Sequence, residues 1–173
     1  MKFKRIICIN QVTGGLFYQL SLGLSKNYEN GSILIAGDIC KRNLDAEFKS
    51  NLDYKKSVPY DRRNYLLRII SWIFFTLDIS KYIILSKKDD LLLLTSNPPI
   101  INFWLFLFIK LKKLSFVILV YDIYPNILVS SGFLKKNNPF ILIWKSLNTL
   151  IYSKAKKVIT IQKNMRKILS KEF

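Results

Sequence analysis

The chain has 173 residues, 50% of them apolar, which suffices for one domain with a buried core and excludes an intrinsically disordered segment. With 28 Lys and Arg against 11 Asp and Glu, and no histidine, the net charge is +17. An anionic partner is therefore expected: nucleic acid, an acidic lipid surface or a phosphorylated substrate.

Residues 3–9 read as a short buried strand that ends in Gln11-Val12-Thr13-Gly14-Gly15, whose glycines allow unusual backbone angles. Leu16, Phe17, Leu20 and Leu24 give residues 16–26 the period of an amphipathic helix. A second strand over 32–36 closes at Gly37-Asp38. Residues 40–63 are polar and irregular, with a short strand expected near Val58 and a mobile loop over 53–56. Residues 63–85 are helical in pattern and apolar on most sides, so they are expected to be largely covered.

Beyond Asp89-Asp90, residues 91–94 form a continuous apolar run of strand length. The run breaks at Thr95-Ser96-Asn97-Pro98-Pro99, and a helix follows over 100–111. Residues 115–121 make the next strand, ending at Asp122-Ile123-Tyr124-Pro125. A helix over 139–153, a strand over 157–161 and a basic helix over 164–170 complete the series. The strands are apolar throughout rather than alternating. Such strands are buried on both faces, which predicts an α/β, Rossmann-like fold: a mostly parallel sheet flanked by helices on both faces.

The two apolar stretches near the middle do not read as membrane spans. Arg68, Asp78 and Lys81 interrupt 66–85, and Asn97, Pro98, Pro99, Asn102 and Lys110 interrupt 91–111. Core packing with contact to a membrane surface is expected instead. Cys8 and Cys40 fit neither a zinc pattern nor a disulfide framework, and a reducing cytosol is the simplest setting.

In an open parallel sheet, ligands bind beyond the carboxyl ends of the strands. That rule selects the loops 11–15, 37–38, 95–99, 122–126 and 162–163, all expected along one edge. Gly14-Gly15 either bring backbone N–H groups to a phosphate at a helix start or make a plain tight turn. Pro98 and Pro99 stiffen the start of a helix, where Asn97 is a cap or a ligand contact. Asp122 is the only acidic residue between Asp90 and Glu172, against 13 lysines and arginines. At a strand's mouth its carboxylate can accept a hydroxyl's hydrogen bond or proton, unless it caps the next helix or pairs with a lysine. Tyr124-Pro125 then form a stiff aromatic wall. Basic clusters interleaved with Trp72, Phe74, Phe75, Trp104, Phe106 and Phe108 suit a surface resting on anionic headgroups.

Three of these motifs stand together: Thr95-Ser96-Asn97-Pro98-Pro99, Tyr121-Asp122-Ile123-Tyr124-Pro125, and Ser153-Lys154-Ala155-Lys156-Lys157-Val158-Ile159-Thr160 before a helix with Met165 and Leu169. With them, residues 91–169 resemble the N-terminal domain of glycosyltransferase family 4, in the branch that builds bacterial surface polysaccharides on a lipid carrier. Gly14-Gly15 and Val58-Pro59-Tyr60-Asp61-Arg62 fit more loosely. The resemblance implies that residues 1–173 are the acceptor-side Rossmann-like half of a GT-B enzyme, the C-terminal nucleotide-sugar domain being absent and activity depending on it. It implies Asp122 as the catalytic residue and Gly14, Gly15, Asn97, Tyr124 and Pro125 as substrate-binding. It further implies no metal and no cofactor beyond the nucleotide sugar as co-substrate.

The implied partners are that nucleotide sugar, a lipid-linked saccharide acceptor, an anionic membrane surface and a donor-domain partner chain. The place is the periphery of the inner membrane's cytoplasmic face. Nucleic acid is not among them, because no motif that reads it is present. The chain departs from the family at Asn126, where an acidic residue usually follows the Tyr-Pro pair. Two other readings stand beside this one: a non-catalytic membrane scaffold of a two-chain transferase, and a basic nucleic-acid-binding protein.

Overall fold

A computed structural model of the chain describes residues 3–39 and 51–173. Cys40 and the expected irregular stretch up to residue 50 lie outside the described residues. The first part of the chain forms β1 (Arg5–Ile9), β2 (Val12–Thr13), α1 (Gly15–Ser25), β3 (Ser32–Ala36) and β4 (Asp38–Ile39). β5 (Leu52–Lys56), α2 (Tyr65–Leu85), β6 (Asp90–Thr95) and α3 (Ile101–Lys112) come next. β7 (Ser115–Val120), α4 (Asn126–Ser130), α5 (Pro139–Lys154), β8 (Lys157–Thr160) and α6 (Lys163–Glu172) complete it.

Six strands form one sheet in the order β5-β3-β1-β6-β7-β8, and each neighbouring pair is parallel. The fold is α/β and Rossmann-like, as the apolar runs predict. Because successive side chains leave a strand on opposite faces, the central strands supply two cores at once. Ile6 and Cys8 of β1, with Leu91 and Leu93 of β6, pack beneath Phe17 of α1. Ile7, Ile9, Leu92 and Leu94 face the other way, onto Phe75, Ile79 and Ile83 of α2 and Leu105 and Ile109 of α3. Ile151 of α5 and Leu169 of α6 join that second core. Full burial of a side chain such as Phe75 contributes roughly 3 kcal/mol. Cys8 belongs to the first core, and burial pushes its thiol up to about 12, which keeps it protonated and unreactive.

Helix starts follow local chemistry. Asn64 caps α2 by accepting a hydrogen bond from the Leu67 amide at 2.9 Å, and Asn138 caps α5 ahead of Pro139.

Three expectations change, and one pairing was not foreseen. Residues 53–56 are not a loop: they belong to β5, an edge strand paired with β3, and Val58 lies beyond it. The loops after β1 and β3 are themselves joined, as β2 and β4 pair in parallel. α2 is not largely covered, since Leu66, Ile69, Ile73, Phe74 and Leu77 are exposed along one side. Of the aromatics assigned to a surface, Phe75 and Phe106 are core residues, whereas Phe74 and Trp104 are exposed. Among the described residues no helix is long and apolar enough to cross a membrane.

The amino ends of the strands are sealed by an ion pair. Arg5 begins β1, Asp90 begins β6, and the two are paired in register. Arg5 donates Nε to Asp90 Oδ1 at 3.0 Å and a terminal nitrogen to Oδ2 at 2.7 Å. The Lys87 amide adds a third bond to this carboxylate at 2.8 Å. The hydrogen bond to Asp90 outweighs burial and holds the Arg5 guanidinium above its ordinary range.

Candidate functional site

From β1 the chain crosses to β3 and β5 on one side, then returns to β6 on the other. The loops leaving β1 and β6 therefore diverge, and a crevice opens between them at the carboxyl edge. It holds a cleft of about 340 Å³ lined by Asn10, Gly14, Tyr60, Arg62, Asn97 and Tyr121, among others.

Hydrogen bonds join the loops around it. Thr95 donates its hydroxyl to the Asn97 carbonyl at 2.8 Å, and Asn102 donates its amide to the Thr95 carbonyl at 3.1 Å. Ser96 Oγ accepts the amides of Tyr121 and Asp122 at 3.0 and 3.1 Å, fastening the loop after β7 to the loop after β6. On the far side, the Gln11 carbonyl accepts the Gly37 and Asp38 amides, both at 3.0 Å. Asp38 in turn accepts the Tyr60 amide at 2.9 Å and so places Tyr60 at the cleft. Gly37 is required here: a Cβ at this position would overlap the Val58 carbonyl.

Gly14 and Asn97 line this cleft together. Gly14 adopts φ −80° at the start of α1, neither Gly14 nor Gly15 has a positive φ, and a Cβ on either would meet nothing within 4 Å. Neither uses the unusual angles that glycine allows, and the fold does not demand glycine there. Their smallness leaves space above the helix start. Asn97 is no cap: Ile100 occupies that position in α3, and Pro98 and Pro99 precede the helix rather than sit in its first turn.

Asp122 is half-buried and follows Tyr121, which lines the cleft, but it is not itself a lining residue. Both bland roles fail for it. Pro125, not Asp122, occupies the cap position of α4, and the Asp122 carboxylate makes no hydrogen bond or ion pair among the described residues. Tyr124 and Pro125 do not line the cleft. The Tyr124 ring stacks on Trp144 of α5 at 5.9 Å, and its carbonyl accepts the Asn148 amide at 2.7 Å. Burial raises the Tyr124 hydroxyl above its ordinary 10, Asp122 and Tyr60 add to this, and Arg68 opposes it. Tyr124 is thus a neutral donor within electrostatic reach of Asp122, Tyr60 and Arg68. Residues 162–163 follow the edge strand β8 and contribute nothing to the cleft.

Asn126, the departure noted above, donates its amide to Glu172 at 2.9 Å, and Lys145 contacts the same carboxylate oxygen at 2.7 Å. Burial would raise the Glu172 carboxyl, but Lys145 and Asn126 outweigh it and hold it below its ordinary 4.5. Tyr60, Arg62 and Tyr121 complete the cleft without standing out in the sequence as ligand-binding; the Pro59-Tyr60 pair before a charged run was the available signal. Among the described residues no group of three His, Cys, Asp or Glu side chains could hold a metal ion.

Fold and cleft together define a Rossmann-like α/β protein with a ligand-sized crevice at its topological switch point. No family model matches the chain, and no curated protein matches it.

Proposed function

We propose that this chain is the acceptor-side half of a glycosyltransferase, working with a nucleotide-sugar-binding domain to extend a lipid-linked saccharide at a membrane surface. One observation supports the reading: among the described residues the Asp122 carboxylate has no partner, and Ser96 ties its amide to the loop after β6, one residue from Tyr121 of the switch-point cleft. A carboxylate free of protein partners can accept the hydrogen bond or proton of the attacking hydroxyl. Asn97 and Tyr121 frame the sugar, and the open space over Gly14 and Gly15 lets the donor's phosphates approach the first amides of α1. The exposed apolar side of α2, on a chain of net charge +17, supports residence at an anionic membrane.

The test is sugar transfer from labelled nucleotide sugars to a lipid-linked saccharide, with a donor domain supplied. Asp122→Ala is expected to lower transfer about 100-fold or more. A fully active Asp122→Ala variant refutes the site, and brisk transfer by the isolated chain refutes the division of labour.

A further inference from the structure

Tyr60 and Arg62 stand between two cavities. Both line the switch-point cleft, and both line a second groove of about 530 Å³ that continues over Leu67, Ile70 and Phe74 of α2. On the groove side the charges are closed. Arg63 donates to both oxygens of Asp61, the shortest bond at 2.7 Å, and these bonds hold the Asp61 carboxyl below its ordinary range. The acid next to Arg62 in the chain is therefore engaged elsewhere.

The cleft side is open. Arg62 is the only charged residue lining the cleft, and it has no hydrogen bond or ion pair among the described residues. Its guanidinium lies 5.6 Å from the centre of the Tyr60 ring. That ring is braced: Asp38 accepts the Tyr60 amide, and Trp72 stacks on the ring at 6.4 Å with the planes 7° from parallel. Contact with a ring occupies the flat face of a guanidinium and leaves its N–H edge for oxygen atoms.

The rest of the lining is rich in donors with nothing to bond. Asn10 is only 4% exposed, and its Oδ1 lies 3.4 Å from the Thr95 hydroxyl, yet its Nδ2 has no partner among the described residues. A buried amide left in this way is costly unless something in the cleft accepts from it. The Asn97 amide and the Tyr60 and Tyr121 hydroxyls are likewise without partners among the described residues. Burial raises the Tyr121 hydroxyl above its ordinary 10, so it stays a neutral donor. No carboxylate lines the cleft to answer any of them.

We infer that the cleft takes a sugar bearing a carboxylate, of the hexuronic acid kind, with the N–H edge of Arg62 paired to that carboxylate. Asn10 and Asn97 then bond the ring hydroxyls, and Tyr60 and Tyr121 flank the sugar. A planar carboxylate accepts two N–H groups of one guanidinium at once, and its single charge equals that of the cleft's single cation. A diphosphate carries more charge than this and finds no second cation in the lining. The inference rests on the saccharide reading above and adds the charge of the sugar that Arg62 selects.

The probes are the methyl glycosides of glucuronic and galacturonic acid, the neutral methyl glucoside and methyl galactoside, and inorganic diphosphate. Each is titrated into the full chain with no nucleotide sugar present, and binding is read from amide shifts in nuclear magnetic resonance spectra. At least one uronide is expected to bind about tenfold more tightly than its neutral counterpart, and more tightly than diphosphate. Arg62→Gln removes that preference and leaves the neutral glycosides as they were. Lys88→Gln, at the amino edge of the sheet, changes neither. Arg62 is exposed and holds no hydrogen bond, so its replacement leaves the fold in place, which circular dichroism verifies. A second measurement needs no variant: added sodium chloride weakens the uronide and leaves the neutral glycoside unchanged.

Equal affinity for uronide and neutral glycoside overturns the inference, as does the absence of any glycoside binding. A uronide that ignores salt, or that keeps its affinity in Arg62→Gln, overturns it too. So does diphosphate as the tightest ligand, because Arg62 then answers phosphate. The transferase reading fails separately. Uronide binding that depends on Arg62, with no transfer from any nucleotide sugar, refutes transfer alone. Transfer to a neutral saccharide with an indifferent Arg62 refutes the preference for acid alone.

Discussion

The two edges of the sheet treat their carboxylates in opposite ways. At the amino edge, Asp90 is buried and receives Arg5 twice and the Lys87 amide once. At the carboxyl edge, neither Asp122 nor the cleft's Arg62 has an ion-pair partner among the described residues. Among the described residues, an acid is thus satisfied at one end of the sheet and another is left without a partner at the other. Charges closed upon each other stabilise a fold; charges left open await something that is not the fold.

The sharpest way to break this contrast is to remove each acid in turn and measure stability by denaturant unfolding. Asp90→Ala strands the Arg5 guanidinium and is expected to cost about 3 kcal/mol, the low end for a broken buried pair because Arg5 is partly exposed. Ser96→Ala should cost about 1–2 kcal/mol, since the amides of Tyr121 and Asp122 both lose their acceptor.

A smaller effect tests the contrast within the carboxyl edge itself. Glu172 sits below its ordinary 4.5 through Lys145 and Asn126, so its contribution is present above about pH 4.5 and is lost as pH falls through the lower folded value. Melting temperatures taken from pH 6 downward should therefore fall less steeply in acid for Lys145→Ala than for the unaltered chain. Smallest of all is Asp122→Ala, whose stability should change by less than about 0.5 kcal/mol even where the proposed transfer is lost. A stability loss as large as that of Asp90→Ala would erase the distinction between the two edges.

Much of the fold was legible because its strands are apolar from end to end. β3 falls where the sequence predicts it, and β1, β6, β7 and β8 lie within a residue or two. β5 was not legible, since Leu52-Asp53-Tyr54-Lys55-Lys56 lies at an edge with four of its five side chains exposed and carries no pattern of burial. β2 and β4 are two residues each, and α4 is five, too short to show any period.

A rule about strand ends picks out the edge at which the cleft lies, and of the residues it selects Gly14 and Asn97 line the cleft whereas Asp122 does not. The pairing of charges there was not legible. Arg62 and Arg63 are neighbours in the chain, yet one is held by Asp61 and the other stands over Tyr60. That difference arises from three-dimensional placement alone. Tyr124 and Pro125 show the converse: in sequence they read as a wall of the cleft, whereas Trp144 and Asn148 hold Tyr124 against α5.

The tight approach of Gly37 to the Val58 carbonyl reaches further than its own turn. The segment it admits carries Tyr60, and Tyr60 is the partition between the two cavities. A single methyl group added at position 37 would collide with the backbone of Val58 and Pro59 and so displace the segment that carries that partition. The seating of the wall between the two chambers thus depends on an atom that position 37 does without.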